Sequence, residues 1–518
     1  MKLHPLTAVQ NVIQYGFQLG GAGFFLGIIL QNIANAPFWV MAMTTALGVM
    51  TGGGYGYLRY AVFRYTLGES NLTVKSGVFH RQEREIPLRR IQNVDIKQKF
   101  IPRLFGVAEV RFETAGGGQT EATLQLVAYD EAKRLQRKIR DRKQSDSTAS
   151  EVTGTTTEEI STTDDSPTAR RDQPTILFEL TPRNLTLFSS ITFRWGLIPF
   201  LLFGIPFVDQ FFTRFITRLL QSVFRNGATS IASIQGIAVA ISGFIGIVIL
   251  AWILSAVLTF VQYYNFWLGQ IEDELVYERG LINRYSGSIP LNKVQAITIE
   301  DNPVMRQLGY ASLTIKTAGY SGGSRGQRSQ RQTNPSAVPF AERERILTFL
   351  EELEGVNDIS IEQPPKRSRR RYFGRYVLGI GIITILLALL NGYFYPIGEL
   401  WLAPLLIGLL TPLAAHLTWI HRGHSKTADH FITRAGFWKR KTQIVPYYRI
   451  QTVITHRTIF QRRYNLGSVI ADTASSVGFF NDDAIAHDID TTAATELHEA
   501  LRNRLENARQ EVDINRGL

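Results

Sequence analysis

Residues 77–116 read GVFHRQEREIPLRRIQNVDIKQKFIPRLFGVAEVRFETAG, and this pattern occurs three times along the 518-residue chain. In every copy a Pro follows a Gly by ten residues, a Gln follows that Pro by five, and a Thr-Ala pair begins twenty-two residues after the Gln. The matching positions are Gly77, Pro87, Gln92, Thr114 and Ala115; Gly280, Pro290, Gln295, Thr317 and Ala318; and Gly436, Pro446, Gln451, Thr473 and Ala474. Agreement at five positions in three copies indicates one module used three times.

Within the module, the residue pattern is typical of strands. Polar and apolar residues alternate in segments such as 83–87, 108–114 and 312–317, and a period of two marks half-buried strands. The recurring Gly predicts a turn with positive φ, and the recurring Pro, which cannot donate to a sheet, predicts a strand edge or a bulge. Each copy ends in an amphipathic helical pattern, at residues 129–143, 341–354 and 492–512. We therefore expect small antiparallel β barrels or sandwiches, of which the barrel is the favoured form, each closed by a C-terminal helix.

Long apolar runs precede every copy of the module in pairs. Each run is close to the roughly 20 residues that cross a hydrocarbon core, and the runs lie at residues 16–36 and 38–57, 187–208 and 231–261, and 376–395 and 400–420. A cleaved signal peptide is the alternative for the first run, but it has only Lys2 before it and a second run follows at once. The repeat unit is thus a two-span hairpin followed by the module, which predicts six α-helical spans.

The distribution of cations predicts the orientation in the membrane. Because each hairpin crosses twice, all modules lie on one side, where Arg59, Arg64, Arg183, Arg422 and the basic run 366–375 also lie. The opposite loops 32–37 and 391–399 carry only Glu399, whereas loop 209–230 has three arginines and is interpreted as an amphipathic helix in the opposite interface. The positive-inside rule then predicts a multi-pass membrane protein with cytoplasmic modules.

These patterns divide the chain into seven segments. Between the first module and the third apolar run, the sequence is rich in Ser, Thr and acids, which favours a disordered linker. The predicted segments are hairpin 1 at 1–60, module 1 at 61–143, the linker at 144–178, hairpin 2 at 179–262, module 2 at 263–357, hairpin 3 at 366–422 and module 3 at 423–513.

The order of motifs within the module resembles the bacterial pleckstrin-homology-like domain. The residues that carry the resemblance in the first copy are Ile86-Pro87-Leu88, Ile91-Gln92-Asn93-Val94, Leu104-Phe105-Gly106-Val107 and Thr114-Ala115-Gly116. The third copy departs from the motif, because Gly467 comes two residues late and Ser475 replaces the last Gly. Three such modules, each behind a hairpin, resemble the YdbT-type membrane proteins of bacteria and archaea. The resemblance implies a seven-stranded, two-sheet barrel with a C-terminal helix and implies no particular ligand.

The sequence offers little for catalysis or metal binding. The chain has no cysteine, which excludes disulfides, thiolate metal sites and cysteine nucleophiles. The Gly-x-Ser-x-Gly match at 322–326 lies in a polar loop without the strand-to-helix turn of a nucleophile elbow. The spacing of His416, His421, His424, His430 and His487 fits no metal motif. We expect a protein that is not an enzyme and that has no cofactor and no metal site.

A net charge of +12 predicts an anionic partner surface. The candidate contacts are Arg89, Arg90, Lys97, Lys99, Arg367, Arg369, Arg370, Arg371, Lys439, Arg440 and Lys441. Positive-inside topology combined with solvated strand faces is the alternative explanation of this charge. Nucleic acid is disfavoured, because no nucleic-acid-binding module accompanies the cations.

The leading functional hypothesis is a non-enzymatic membrane scaffold. Its cytoplasmic modules would bind a protein partner, a second copy in a homo-oligomer, or anionic lipid headgroups of the bilayer, with envelope stress or defence as the candidate process. The alternative is a transporter or lipid-handling protein whose spans form a pathway. Intramembrane charges usually mark such pathways, and Arg194 is the only charge well inside a predicted span.

Overall fold

The computed structural model describes residues 3–34, 37–68, 70–114, 122–139, 174–204, 234–317, 336–356, 359–393, 401–473 and 484–515. The chain divides into two compact units. Unit 1 contains Met1–Glu179, Phe266–Lys293 and Gly319–Arg331, and unit 2 contains Leu180–Asn265, Val294–Ala318 and Gln332–Leu518. The predicted loop 209–230 and residues 144–173 of the predicted linker lie outside the described residues.

The described helices belong either to the predicted hairpins or to the modules. Those of the hairpins are α1 (Leu6–Ala34), α2 (Phe38–Val62), α5 (Pro182–Ile191), α6 (Leu197–Gly204), α7 (Ile234–Tyr263), α10 (Ser368–Tyr393), α11 (Ala403–Gly408) and α12 (Thr411–Ile420). Those of the modules are α3 (Phe100–Leu104), α4 (residues 129–139), α8 (Pro303–Gln307), α9 (Arg343–Glu354), α13 (Ile459–Arg463) and α14 (Thr491–Asn515).

Among the described residues each module contributes six strands in the same order, and one further strand precedes the second hairpin. Module 1 has β1 (Arg64–Leu67), β2 (Asn71–Ser76), β3 (Gln82–Pro87), β4 (Ile91–Gln98), β5 (Val107–Thr114) and β6 (Ala122–Ala128). The extra strand β7 (Thr175–Glu179) is followed in module 2 by β8 (Trp267–Ile271), β9 (Glu274–Arg279), β10 (Arg284–Pro290), β11 (Val294–Asp301), β12 (Tyr310–Thr317) and β13 (Ser336–Glu342). Module 3 has β14 (Gly423–Lys426), β15 (His430–Gly436), β16 (Arg440–Pro446), β17 (Ile450–His456), β18 (Leu466–Thr473) and β19 (Ala484–Asp490).

The expectation of three closed barrels is wrong. Unit 1 holds a three-stranded sheet, β1-β2-β3, and a seven-stranded sheet, β6-β5-β4-β10-β9-β8-β7. Unit 2 holds a six-stranded sheet, β13-β12-β11-β16-β15-β14, and a three-stranded sheet, β17-β18-β19. The first three and last three strands of a module thus belong to different sheets, because strand edges that would close a barrel pair instead with the neighbouring module.

The two junctions between consecutive modules use the same register. In unit 1, β4 of module 1 pairs antiparallel with β10 of module 2, and Gln98 faces Arg284. In unit 2, β11 of module 2 pairs antiparallel with β16 of module 3, and Asp301 faces Arg440. In the repeat alignment Gln98 corresponds to Asp301 and Arg284 corresponds to Arg440. Consecutive modules are therefore joined by one recurring mode of strand pairing.

The recurring glycines occupy the predicted turns. Gly77, Gly280 and Gly436 have φ angles of +103°, +110° and +141°. A Cβ at any of them would also collide with the carbonyl oxygen of the residue three positions later. Because both the φ angle and the space exclude a side chain, the prediction of a glycine-dependent turn is confirmed.

The sequence predicted a strand edge or a bulge at the recurring Pro. In the structure the strand ends at the Pro, and the bulge lies at the recurring Gln. Pro87, Pro290 and Pro446 each end a strand, immediately before a single 3₁₀ turn. The bulge falls one turn later, where the β4–β5, β11–β12 and β17–β18 pairings skip Gln92, Gln295 and Gln451. The extra residue at each bulge bends the fourth strand and raises its twist.

Another left-handed position corrects the alignment of the third copy. Gly106 and Gly309 follow the short helices α3 and α8 with φ of +66° and +77°, and the equivalent residue after α13 is Asn465, with φ of +50°. Asn is among the few non-glycine residues that tolerate this conformation. Gly467, which the motif comparison had placed here, lies inside β18.

The cores of modules 1 and 3 each include strands and the C-terminal helix. In module 1, Leu72, Phe112 and Leu124 are buried together with Leu135 of α4. In module 3, buried residues of β15, β16, β18 and β19 pack against Ala494, Leu497, Leu501 and Leu505 of α14. A helix packed on the strands is therefore confirmed for these modules, although the strands do not close into barrels.

Three helices of the described chain are long and apolar enough to cross a membrane, namely Leu6–Gln31, Phe244–Tyr263 and Ser368–Gly392. The prediction of six spans is thus met in part. The partner helix of hairpin 3 is broken into α11, which ends at Gly408, and α12, which has Pro412 in its first turn. Pro412 has no amide hydrogen to donate to the Gly408 carbonyl, and its ring clashes with that carbonyl, so a continuous helix is interrupted there. Strand β7 occupies the end of the predicted disordered linker and pairs with β8, so residues 175–178 are ordered, contrary to that prediction.

A glycine stripe holds α1 and α2 together. Gly48, Gly52 and Gly56 recur at four-residue intervals on α2, and a Cβ on them would collide with the carbonyls of Leu19, Tyr15 and Asn11 respectively. Small residues at this spacing allow the backbones of membrane helices to approach closely.

Replacing Gly52 with Ala should separate α1 from α2 and destabilise the protein by roughly 1–3 kcal/mol, the usual cost of overpacking. Gly54→Ala on the same helix is the matched control, because no atom lies within 4 Å of the added Cβ. Thermal unfolding of the two variants in detergent measures the difference. Equal melting temperatures for both variants would contradict the proposed close approach.

Candidate functional site

A buried carboxylate gathers arginines from four elements at the second junction. Asp301 is only 4% exposed at the end of β11. It accepts hydrogen bonds from Nε of Arg306 at 2.9 Å and from Arg440, through Nε at 3.0 Å and a terminal nitrogen at 2.5 Å. Arg343, the first residue of α9, forms an ion pair with it at 3.5 Å. Strand pairing places Arg440 opposite Asp301, and the short helix α8 returns Arg306 towards the end of its own strand.

This cluster carries more positive charge than Asp301 neutralises. Arg434 joins the cluster from β15, where its Nε donates to the Thr442 hydroxyl at 3.2 Å. Burial and the neighbouring Arg440 lower the pKa of Arg434 to about 10, and the same two causes lower the pKa of Arg343. Three guanidinium groups therefore pair with one carboxylate, and that of Arg434 interacts electrostatically with them. We call Asp301, Arg306, Arg343, Arg434 and Arg440 the arginine cluster.

The arginine cluster is linked to the end of hairpin 3. A terminal nitrogen of Arg306 lies 2.6 Å from Nε2 of His421, the residue that directly follows α12. The other ring nitrogen, Nδ1, lies 3.1 Å from the carbonyl oxygen of Phe437 in the glycine turn of module 3. The cluster thus lies beside the boundary between an apolar helix and the module.

The first junction uses the same arginine without the carboxylate. Arg103 of α3 corresponds to Arg306 in the repeat alignment, and it donates directly to the Leu281 carbonyl in the glycine turn of module 2 at 2.7 Å. Lys97 is 6% exposed, and its ammonium lies 5.0 Å from the Tyr285 ring centroid. Burial and the nearby Arg111 lower the pKa of Lys97.

A second buried carboxylate connects hairpin 3 to module 3. Asp488 of β19 is fully buried and forms ion pairs with Arg371 of α10 and with Arg422, whose terminal nitrogen lies at 3.2 Å. Nε2 of Gln461 donates to Asp488 at 2.8 Å, and the Arg422 guanidinium lies 4.6 Å from the Tyr372 ring centroid. Burial and the neighbouring Arg422 lower the pKa of the adjacent His487 to about 3, which keeps its ring neutral at pH 7.

The structure separates the predicted anion-contacting cations into two groups. Those held by the protein itself are Lys97 on Tyr285, Arg367 on Asp490 and the Asn465 carbonyl, Arg369 on the Trp419 ring, Arg371 on Asp488, Arg440 on Asp301 and Lys441 on Glu300. The second group, Arg90, Lys99, Arg370 and Lys439, is exposed, as are Arg367 and Arg369 of the first group. The side chain of Arg89 lies outside the described residues. Asp301 and Asp488, the two hubs, were missed by sequence reasoning because neither belongs to the repeated motif.

The histidines point to different partners. His424 lies 4.0 Å from a Glu362 oxygen, His430 lies 3.3 Å from one of Glu354, and His416 stacks on Trp419 with ring centroids 5.9 Å apart. In the part of the chain that is described, no three His or acidic residues form a group able to hold a metal ion. Arg194 is the charge within a predicted span on which the transport alternative depends. Its guanidinium donates a hydrogen bond to the side-chain oxygen of Gln262 in α7.

Exposed apolar side chains lie at the tips of the glycine turns, beside the hairpins. Phe79 stacks on Tyr55 of α2 with ring centroids 6.1 Å apart, and Phe437 lies 6.3 Å from Tyr376 of α10 by the same measure. Phe79 is 91% exposed, and Trp438, at the equivalent position of module 3, is 52% exposed. The aromatic tip of module 3, next to the apolar helix α10, suits the interface between lipid and water.

Removing the Asp488 carboxylate should destabilise the protein by roughly 3–5 kcal/mol, because Arg371 and Arg422 would keep buried, unpaired charges. Asp490→Ala on the same strand is the control. Its ion pair with Arg367 is about 40% exposed on both sides, and such pairs contribute about 0–1 kcal/mol. Thermal unfolding of Asp488→Ala and Asp490→Ala in detergent compares the two, and a similar loss in both variants would contradict the role of Asp488 as a hub.

Comparison with known proteins agrees with this architecture. The chain is 25% identical over 489 residues to the UPF0699 transmembrane protein YdbT of Bacillus subtilis (strain 168). This alignment covers 92% of this chain and 93% of YdbT. It is 26% identical over 115 residues to the UPF0699 transmembrane protein YdbS of the same organism, covering 21% of this chain and 70% of YdbS. No solved structure matches the chain significantly. The family model described as the bacterial PH domain matches residues 17–143, 219–354 and 378–505, and the chain therefore belongs to the bacterial PH domain family.

Proposed function

We propose that this membrane protein is a non-enzymatic scaffold whose PH modules contact the anionic headgroups of the membrane that anchors them. The observation that carries the proposal is the arginine cluster, in which three guanidinium groups pair with the Asp301 carboxylate and a fourth, that of Arg434, interacts with them electrostatically. A phosphate is the natural complement of such a surplus, because Arg presents several donors in a planar fork.

The position and state of the cluster support lipid as the source of that phosphate. Arg306 contacts His421, the first residue beyond the apolar helix α12. One terminal nitrogen of Arg306 is buried without a hydrogen-bond partner among the described residues, and buried donors are normally satisfied. Arg343 keeps about a third of its side chain exposed, which leaves a side from which a headgroup can approach.

The exposed cation and the apolar residues at the tip of the glycine turn of module 3 also support contact with lipid headgroups. Lys439 is exposed in the glycine turn of module 3, next to the exposed Phe437 and Trp438. In this proposal the aromatic rings enter the interface while the cations remain at the headgroup level, where each contributes about 1 kcal/mol.

Strand pairing between modules supports six spans. Strands of modules 1 and 2 share one sheet, as do strands of modules 2 and 3, which supports a common side of the membrane for all three modules. In this proposal hairpins 2 and 3 each cross an even number of times, as two spans would. The distribution of cations favours the cytoplasmic side for the modules.

Arg343→Gln should weaken the preference for anionic lipid roughly fivefold, which corresponds to about 1 kcal/mol for one cation. The measurement is native mass spectrometry of the full-length protein in detergent, titrated separately with phosphatidylglycerol and phosphatidylcholine of equal chain length. Arg345→Gln, an exposed arginine on the same helix, is the matched control. Equal phosphatidylglycerol binding in the two variants, or no preference over phosphatidylcholine in the native protein, would contradict the proposal.

A further inference from the structure

Each junction between modules is formed by two matching faces. One face consists of a fourth strand and the short helix after it: β4 with α3, or β11 with α8. The other face consists of a third strand and the glycine turn before it: β10 with residues 280–283, or β16 with residues 436–439. We call them the helix face and the turn face.

One copy of each face is left over. In module 3 the helix face is β17 with α13, and β17 is an outer strand of its described sheet. In module 1 the turn face is β3 with residues 77–80, and β3 is likewise an outer strand. Since every module carries both faces and the second module uses both, the remaining two faces are complementary by repetition.

Both remaining faces are more exposed than their counterparts at the junctions. Phe79 in the turn of module 1 is 91% exposed, whereas Ile282 at the equivalent position of module 2 is 42% exposed. Ile459 at the start of α13 is 82% exposed, whereas the equivalent Phe100 of α3 is 53% exposed. Large apolar side chains with this exposure on an outer strand and its helix are typical of a surface that binds another strand.

We propose that a second copy of this chain fills these faces, with β3 of one copy pairing antiparallel with β17 of the other. Moving the register of the two junctions to the remaining faces places Glu83 opposite Thr455 and Gln82 opposite His456. Because the two faces differ, the association is heterologous and generates a ring or an open row of copies. The association does not depend on whether the arginine cluster binds lipid.

The short helix supplies a second contact in the same arrangement. Arg103 donates to the Leu281 carbonyl at the first junction, and Arg306 reaches the Phe437 carbonyl through His421 at the second. Arg462 is the equivalent residue of α13 and is exposed. In the pairing of copies it is placed to donate to the Val78 carbonyl in the glycine turn of the other copy.

One pair of like charges moderates this association. The shared register places Arg81 opposite Arg457, at the positions where the junctions have Arg284 opposite Gln98 and Arg440 opposite Asp301. Like charges that face each other oppose association. The native contact is therefore weaker than either junction within the chain, and exchanging Arg457 should strengthen it.

Cysteine cross-linking tests the arrangement, because the native chain has no cysteine. Glu83→Cys and Thr455→Cys are placed on two copies of the full-length protein that carry different affinity tags, and the copies are co-expressed and mildly oxidised in the membrane. A disulfide between the two tagged chains is expected. Thr66→Cys, an exposed position on the opposite edge strand of the same sheet as Glu83, replaces Glu83→Cys as the matched control and should give no such disulfide.

A charge series then distinguishes the proposed register from chance collision. Arg457→Gln places at this position the residue type of Gln98 and should raise the disulfide yield. Arg457→Asp places there the residue type of Asp301 and should raise the disulfide yield roughly tenfold over that of the protein with Arg457. Equal yields with Glu83→Cys and Thr66→Cys, or no disulfide while Arg457 is retained, would overturn the proposal. A yield that falls from Arg457→Gln to Arg457→Asp in folded protein would overturn the register.

Discussion

Pairing of β4 with β10 and of β11 with β16 is the constraint on which the rest of the structure depends. Each pairing commits the fourth strand of one module to the third strand of the next, so a module cannot close its strands into an independent barrel. The backbone hydrogen bonds that a barrel would make internally are made between modules instead.

Buried carboxylates add side-chain specificity to this backbone pairing. Asp301 stands at the end of the β11–β16 pairing, where it fixes Arg440 and the short helix that carries Arg306. Asp488 has a different role, since it holds Arg371 and Arg422 and thereby fixes both arms of hairpin 3 against module 3. A buried carboxylate surrounded by several arginines is costly to disrupt from either side, because each remaining charge would be left without a partner. The first junction has Gln98 at the position of Asp301, and there aromatic and carbonyl contacts of Lys97 and Arg103 replace the ion pairs.

Features that depend on local chain geometry could be predicted from the sequence. The glycine turns follow from a φ requirement that only one residue type meets easily, and the three helices long enough to cross a membrane follow from long apolar runs. The recurrence of Gln at the bulges was visible as a pattern, but its structural role was not, because a bulge is defined by the partner strand. Gly467 misled the motif comparison because Asn465 takes the left-handed position that glycine takes in the other copies.

Features that depend on distant residues could not be predicted. A strand edge carries no local mark that tells whether it pairs within its module or with the next one, so closed barrels were expected. Asp301 and Asp488 acquire their roles from arginines more than a hundred residues away or on another element, and neither recurs in the repeat. The basic residues expected to face an anionic surface divide in the same way. Several of them form ion pairs with residues that only the tertiary structure brings near, such as Lys441 with Glu300.

The most direct test of the central claim is a cross-strand disulfide at the second junction. Glu300 faces Lys441 in the register of β11 and β16, with 3.2 Å between their charged groups. The double variant Glu300→Cys and Lys441→Cys in the full-length protein should form a disulfide within one chain under mild oxidation, detected as a linked peptide pair by mass spectrometry. Glu300→Cys with Gln443→Cys, two residues out of register, should not, because the diagonal separation exceeds what a disulfide spans. Efficient cross-linking of the shifted pair, or none of the aligned pair, would contradict the shared sheet.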